Sequence, residues 1–338
     1  VEVAKVLEKE GVSMLNLMMG THAVVYPSTG FYDINIYLSQ AKQIKDAVQI
    51  PCMVGLGVQT ASLAESILES GQGDFIALAK QEIADCNWPN KVKNNQEDDI
   101  RPCIKCLVGC TDNGIIGHHP IRCAVNPTVY KYYEDKYPQA KVVKNVAVIG
   151  AGPAGMEAAL TLVKRGHKVT VYEKRKIGGT LHEASSADYK KDIKLFINYY
   201  EKQAQKYHLN IIQEEATYDT IVNGGYDACI IATGGKPRTL DVNGLETGKV
   251  TYALNYLNGE VKFDGENALV IGGGITGAEV AVELAKEGKK VTIIEVMDQF
   301  LALPSAVIPA YQMAVEQAGV KVITGHRLDY VDHDQAII

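Results

Sequence analysis

The sequence predicts an α/β protein in which one cysteine-rich segment separates a part of alternating strands and helices from two nucleotide-binding units. Three observations carry that expectation. Residues 1–95 alternate short apolar strands with amphipathic helices. Four of the seven cysteines (Cys103, Cys106, Cys110 and Cys123) fall within 21 residues, with gaps of two, three and twelve. Beyond them a strand, glycine turn, helix and second strand occur twice at a constant offset of 122 residues, from 150 to 272 and from 173 to 295.

A chain of 338 residues has the length of two or three domains. Its 46% apolar and 22% charged residues are ordinary for a globular protein. A formal charge of −6 disfavours nucleic acid or an anionic membrane as a partner, and no apolar run has the length of a membrane span. The chain opens at Val1-Glu2-Val3 in a helical pattern and closes at Ile337-Ile338 in a strand pattern, so it reads as an internal fragment of a longer polypeptide. Cys52, Cys86 and Cys229 are scattered, which fits a reducing cytoplasm.

In order, the first 95 residues predict a helix over 3–10 ended by Gly11, a strand over 12–18 and a helix over 38–48. A strand over 51–55, a helix over 62–70, a strand over 75–78 and a helix opening near Gln81 follow. Repeated strand–helix units imply parallel strands with right-handed crossovers. Three such units fit either an open sheet or a slice of a barrel.

The cysteine grouping reads as a thiolate cage. Nothing in the chain marks it for secretion, and a domain of this size needs no disulfide staples. Four soft thiolates suit zinc or an iron–sulfur cluster. Zinc sites more often use two separated Cys-x-x-Cys knuckles, and unliganded cysteines are the bland alternative. The redox-nucleotide units beyond the cage favour a 4Fe-4S cluster held by all four.

Asn145 to Ile149 forms a short apolar strand feeding Gly150-Ala151-Gly152-Pro153-Ala154-Gly155, then a helix to Arg165, Gly166, and a strand over 168–172 closed by Glu173. Gly150 permits the tight turn, Gly152 lets a pyrophosphate approach the backbone, and Gly155 lets helix and strand pack closely. Backbone N–H groups at the helix start, Ala154 among them, face the phosphates, and Glu173 takes a ribose hydroxyl. The second unit repeats this with Gly272, Gly274, Gly277, Gly288 and Glu295. Two such units predict two dinucleotides. Val296 follows Glu295 with no immediate arginine for a 2′-phosphate, which favours NADH over NADPH.

Ile50-Pro51-Cys52-Met53-Val54-Gly55, Gly73-Asp74-Phe75-Ile76-Ala77-Leu78-Ala79-Lys80, Ala84-Asp85 and Pro89-Asn90-Lys91 resemble the last two barrel strands of the Old Yellow Enzyme group. The order of parts along the whole chain is similar to the long iron–sulfur members of that group, which include dienoyl-CoA reductases, enoate reductases and trimethylamine dehydrogenase. The resemblance implies the C-terminal part of an FMN-binding TIM barrel over 1–95 and an iron–sulfur segment and connector over 96–143. It further implies the first part of an FAD domain over 144–262 and a truncated NAD(P)H domain over 263–338. Gly55, Gly57, Ala79 and Lys80 would lie at the FMN phosphate, with Gly57 and Lys80 standing where family members usually offer arginines. Ile177-Gly178-Gly179-Thr180-Leu181 is similar to a second flavin-contact segment, with Gly179, Thr180 and Leu181 at the flavin. Ala232-Thr233-Gly234 is similar to the crossing toward the NAD unit, with Thr233 and Gly234 as contacts. His22 stands where the family's dienoyl-CoA reductase pattern has an active-site histidine, with a loop surface position as the plain alternative.

The implied activity is a reductase passing electrons from NADH to FAD, to the cluster, to FMN and to a small molecule with an activated C=C bond. FAD must stand between nicotinamide and cluster because a flavin accepts two electrons and releases them singly. His22 would supply the proton. An amine dehydrogenase running electrons the other way is the enzymatic alternative, and an FAD/iron–sulfur carrier without FMN is the non-enzymatic one. Homo-oligomerisation of the full-length protein is left open.

Overall fold

A computed structural model describes residues 1–18, 30–31, 34–55, 57–129, 137–247, 249–332 and 335–338. The chain divides into two compact units, Val1–Leu181 with Tyr189–Thr233, and His182–Asp188 with Gly234–Ile338.

The first unit opens with α1 (Glu2–Lys9), β1 (Leu15–Leu17), α2 (Ile34–Lys45), β2 (Cys52–Val54), α3 (Ala61–Glu69), β3 (Phe75–Ile76), α4 (Lys80–Ala84) and α5 (Trp88–Lys93). β1, β2 and β3 pair in that order and all parallel, Leu15 opposite Cys52 and Met53 opposite Phe75. Parallel neighbours need long crossovers, and α2 and α3 supply them. Thr60 caps α3 by accepting a hydrogen bond from the Leu63 amide at 3.2 Å. α2 begins four residues before the expected start because Ile34 joins Leu38 and Ala41 on one apolar face against the same core. β1 is shorter than the expected 12–18 because it pairs only with the three residues of β2. Val54, Val58, Ala61, Ala64, Ile67 and Trp88 form one core cluster of this sheet, and Ala4, Leu15, Val48 and Cys52 a second.

The same unit continues through the cysteines into β4 (Asn145–Ile149), α6 (Pro153–Lys164), β5 (Lys168–Tyr172), α7 (Leu181–Ala184, which crosses into the second unit), α8 (Asp192–Lys206), β6 (Asn210–Ile212), α9 (Tyr218–Val222) and β7 (Ala228–Ile231). The sheet order is β6-β5-β4-β7, all parallel. Its core joins Val148 and Val171 of the sheet to Met156, Ala159 and Leu160 of α6 and Phe196, Tyr199 and Tyr200 of α8. Cys103, Ile104 and Cys123 pack against that core, so the cysteine segment shares its hydrophobic support with the first glycine turn.

The second unit holds α10 (Ala253–Leu257), β8 (Asn267–Ile271), α11 (Ile275–Lys286), β9 (Lys290–Ile294), α12 (Ile308–Gln317), β10 (Lys321–Ile323) and the antiparallel pair β11 (Tyr330–Val331) and β12 (Ala336–Ile337). β10, β9 and β8 form a parallel sheet in that order. Among the described residues no helix is long and apolar enough to cross a membrane.

Candidate functional site

The two glycine turns are built alike, bond for bond. Each first glycine takes a positive φ, +100° at Gly150 and +104° at Gly272, and its amide donates to the end of the neighbouring strand, to Tyr172 at 2.7 Å and Ile294 at 2.8 Å. Each third glycine lies against the first: a Cβ on Gly155 would meet the Gly150 carbonyl oxygen at 1.8 Å, and one on Gly277 the Gly272 oxygen at 1.9 Å. Only residues without a side chain let strand and helix come this close. Gly152 and Gly274 then start α6 and α11, each with extended backbone, leaving free helix N-termini with their outward amides.

The acidic residue after each second strand is fixed in the same way. Glu173 accepts from the Ala151 amide through Oε2 and from the Arg175 amide through Oε1, both at 2.7 Å. Glu295 accepts from Gly273 at 2.6 Å and Met297 at 2.7 Å. Each carboxylate keeps acceptor capacity beyond these two bonds, and each is held beside its glycine turn. Glu173 is buried and Glu295 half-buried.

In the first unit the turn gathers its expected neighbours. The Gly178 amide donates to the Ala151 carbonyl at 2.8 Å, and a Cβ on Gly179 would stand 3.0 Å from the Gly152 Cα. Two bare backbones therefore face each other, open to a flat or phosphorylated ligand. Thr233 adjoins Gly150, its Cα 3.4 Å from where a Cβ on Gly150 would be. Ala154 lies in the first turn of α6. Thr180 and Leu181 follow Gly179, with Leu181 packed on the core. Gly234, at φ +72°, opens the second unit.

Cys103, Cys106, Cys110 and Cys123 line a single small cavity, walled also by Ile83, Leu107 and Val125. No disulfide joins them. Cys110 rides on a wide helical stretch, Val108–Ile116, that follows Leu107 at φ +61°. Gly109 lets this stretch press on the returning chain, since a Cβ there would meet the Arg122 carbonyl oxygen at 2.4 Å. Burial, reinforced by the neighbouring cysteines, pushes the Cys103 thiol up to about 12 and the Cys106 thiol up to about 11. Burial also raises Cys123. Among the described residues no group of three or more His, Cys, Asp or Glu side chains is arranged as a site for a metal ion.

The cage has a frame of residues to which the sequence motifs assigned no role. Gln81 accepts from the Cys103 amide and donates to the Arg101 carbonyl, both at 2.9 Å. Gln59 donates to the Cys103 carbonyl and is itself held by the Trp88 indole N–H at 2.9 Å. Asp85 accepts from the Arg101 amide at 2.9 Å and pairs with Lys91. The Arg101 side chain donates to the Val125 carbonyl and forms a two-pronged pair with Glu157 of α6, at 2.9 and 3.2 Å. One signal for Glu157 lay in the repeat: it stands two residues after Gly155 as Glu279 stands two after Gly277. Glu279 is buried and accepts from the Tyr311 hydroxyl at 2.6 Å.

Gly55 and Gly57 follow β2, while Ala79 and Lys80 follow β3. Gly55 lies against Ala77, Gly57 adjoins the Lys105 side chain, and Lys80 borders the cysteine cavity. Lys105 pairs with Asp192 of α8 at 3.2 Å. His22 lies outside the described residues.

A family model described as pyridine nucleotide-disulphide oxidoreductase matches residues 144–337. The chain is 36% identical over 338 residues to an NADH oxidase of Thermoanaerobacter brockii, covering 96% of this chain and 51% of that protein. It is 33% identical over 310 residues to a cinnamate reductase of Clostridium sporogenes, covering 89% and 45%. A 2-naphthoyl-CoA reductase in complex with 2-naphthoyl-CoA superposes with a TM-score of 0.93 at 28% identity, over 99% of this chain and 52% of that one. The chain thus spans about half the length of the relatives it matches. Their names agree with the enoate-reductase resemblance carried by the sequence.

Proposed function

The chain belongs to the pyridine nucleotide-disulphide oxidoreductase family, and from that premise we propose that it is the electron-entry half of an NADH-dependent enoate-type reductase. The observation that carries the reading is the duplicated glycine turn with its acidic partner, joined in the first unit to a four-cysteine cage on a common core. Flavin-dependent oxidation of NAD(H) is the activity class common to this family.

The first turn suits FAD, because Gly152 and Gly179 leave bare backbone facing bare backbone where a pyrophosphate and a ring system need close approach. Glu173, already oriented by two amides, would accept a ribose hydroxyl. The second turn suits NADH, with Glu295 set against a 2′-phosphate by its charge. Cys103, Cys106, Cys110 and Cys123 would hold a 4Fe-4S cluster. Four soft sulfurs lining one cavity suit a thiolate-held cluster, and the two dinucleotide units after them in the chain favour a redox group over structural zinc. Gly55, Gly57, Ala79 and Lys80 are proposed at an FMN phosphate in the C-terminal part of a TIM barrel. Lys80 would act there as a point charge rather than a fork. When bound, FAD accepts an electron pair and releases it singly, the cluster relays single electrons, and FMN reduces an activated C=C bond. His22 is proposed as the proton donor to the second carbon.

The test is cofactor analysis and turnover of the protein at its natural full length, purified without oxygen. Iron, acid-labile sulfide, FAD and FMN together with NADH-driven reduction of cinnamate-like enoates are expected. Stoichiometric zinc without sulfide would overturn the cluster. FAD without FMN would make the protein a carrier, and reduction of the flavin by amines would reverse the direction of flow.

A further inference from the structure

Arg101 joins three parts of the first unit at once. Its backbone lies two residues before Cys103, its guanidinium reaches the carbonyl two residues after Cys123, and its fork grips Glu157 on the helix that starts at the first glycine turn. The side chain is buried, only 8% exposed, and its guanidinium carbon lies 4.9 Å from the centre of the Tyr199 ring. Gln81 and Asp85 hold its backbone, and the Val125 carbonyl and Glu157 hold its guanidinium. Burial opposes that charge, and the two-pronged bond to Glu157 offsets it.

We infer that Arg101 is a positioning residue that sets the reduction potential of the cysteine cage, with Glu157 as the counter-charge that limits its effect. The inference rests on the cluster reading above. A cluster on four thiolates gains one more negative charge when it takes an electron. A fixed cation beside it, with few water dipoles between, stabilises the reduced form more than the oxidised one. A buried arginine paired with a carboxylate can supply this without itself titrating. The repeat supports a special use of this position: its counterpart Glu279 serves a tyrosine hydroxyl, whereas Glu157 serves a cation at the cage.

The test is potentiometric titration of the cluster, followed by its electron paramagnetic resonance signal, in anaerobically purified protein with iron and sulfide counted. Arg101→Gln should lower the potential by about 59 mV, equivalent to a tenfold smaller ratio of reduced to oxidised cluster at a fixed potential. Arg101→Lys, which keeps a charge, should stay near the parent. Glu157→Gln, which frees the cation from its partner, should move the potential upward. Opposite shifts in Arg101→Gln and Glu157→Gln are the signature that a packing role cannot produce. A full cluster with an unchanged potential in Arg101→Gln would overturn the inference alone, as would equal shifts in Arg101→Gln and Arg101→Lys. If Arg101→Gln loses its cluster, Glu157→Gln decides: no upward shift overturns the inference. A parent protein without iron and sulfide would overturn the cluster reading itself, and this inference with it.

Discussion

Glu173 and Glu295 sit at equivalent ends of equivalent strands and receive equivalent amide bonds, yet they are proposed to serve different ligands. Their substitution therefore separates the two sites. A hydrogen bond to a charged group contributes about 1.5–3 kcal/mol, so Glu173→Ala should weaken FAD retention by roughly ten- to a hundredfold. Glu295→Ala should leave bound FAD intact and raise the Michaelis constant for NADH. Ultrafiltration of the flavin and steady-state kinetics measure the two effects, and equal flavin release from both variants would reverse the assignment. At the cage, Cys106→Ser removes one of the four sulfurs that line the cavity. It should bleach the visible absorption of the proposed cluster while far-ultraviolet circular dichroism stays at the parent's value.

At the scale of elements, the contact between turn and helix decides whether a strand–helix pair can form a phosphate site. A side chain on Gly155 has no room, because its Cβ would overlap the Gly150 oxygen at 1.8 Å. Gly155→Val should pry α6 from β4 and abolish FAD binding, whereas Gly277→Val should spare the flavin and abolish NADH-driven reduction. Flavin fluorescence and stopped-flow reduction distinguish the two. The same helix α6 anchors the core through Leu160, which is fully buried. Leu160→Ala should cost about 2–5 kcal/mol in denaturant unfolding of the first unit. A loss well under 1 kcal/mol would mean that the core described around α6 is not closely packed.

At the scale of the molecule, the cage belongs to the first unit, since Cys103 and Cys123 pack on the core that supports the first glycine turn. Anything that binds only the folded cage stabilises that unit by mass action. Removing iron with a chelator should lower the melting transition of the first unit and leave that of the second in place, as read by calorimetry. The proposed order of flow gives a second expectation for the protein at its natural full length. A Cys110→Ser variant should still reduce artificial acceptors with NADH, because the nicotinamide and FAD sites keep their residues. It should fail to reduce an enoate, and normal enoate turnover by that variant would leave the cage a purely structural role.

The sequence by itself determined the two glycine-turn units and their elements, because those rules are local. A positive φ at Gly150, a helix starting at Gly152 and an acid closing β5 depend on residues within some twenty-five positions of one another. The cysteine grouping was legible for the same reason, since three of its four members lie within eight residues. Strand and helix limits in the first 95 residues were less legible. Ile34 becomes helical through its packing, and β1 is cut to the length its partner offers. Only the tertiary structure decided the surroundings of the cage. Gln59, Gln81, Asp85, Arg101 and Glu157 span about a hundred residues of chain, and apart from the repeat position of Glu157 no spacing rule links them. They are brought together because a buried cation and buried amides must find partners wherever the fold supplies them.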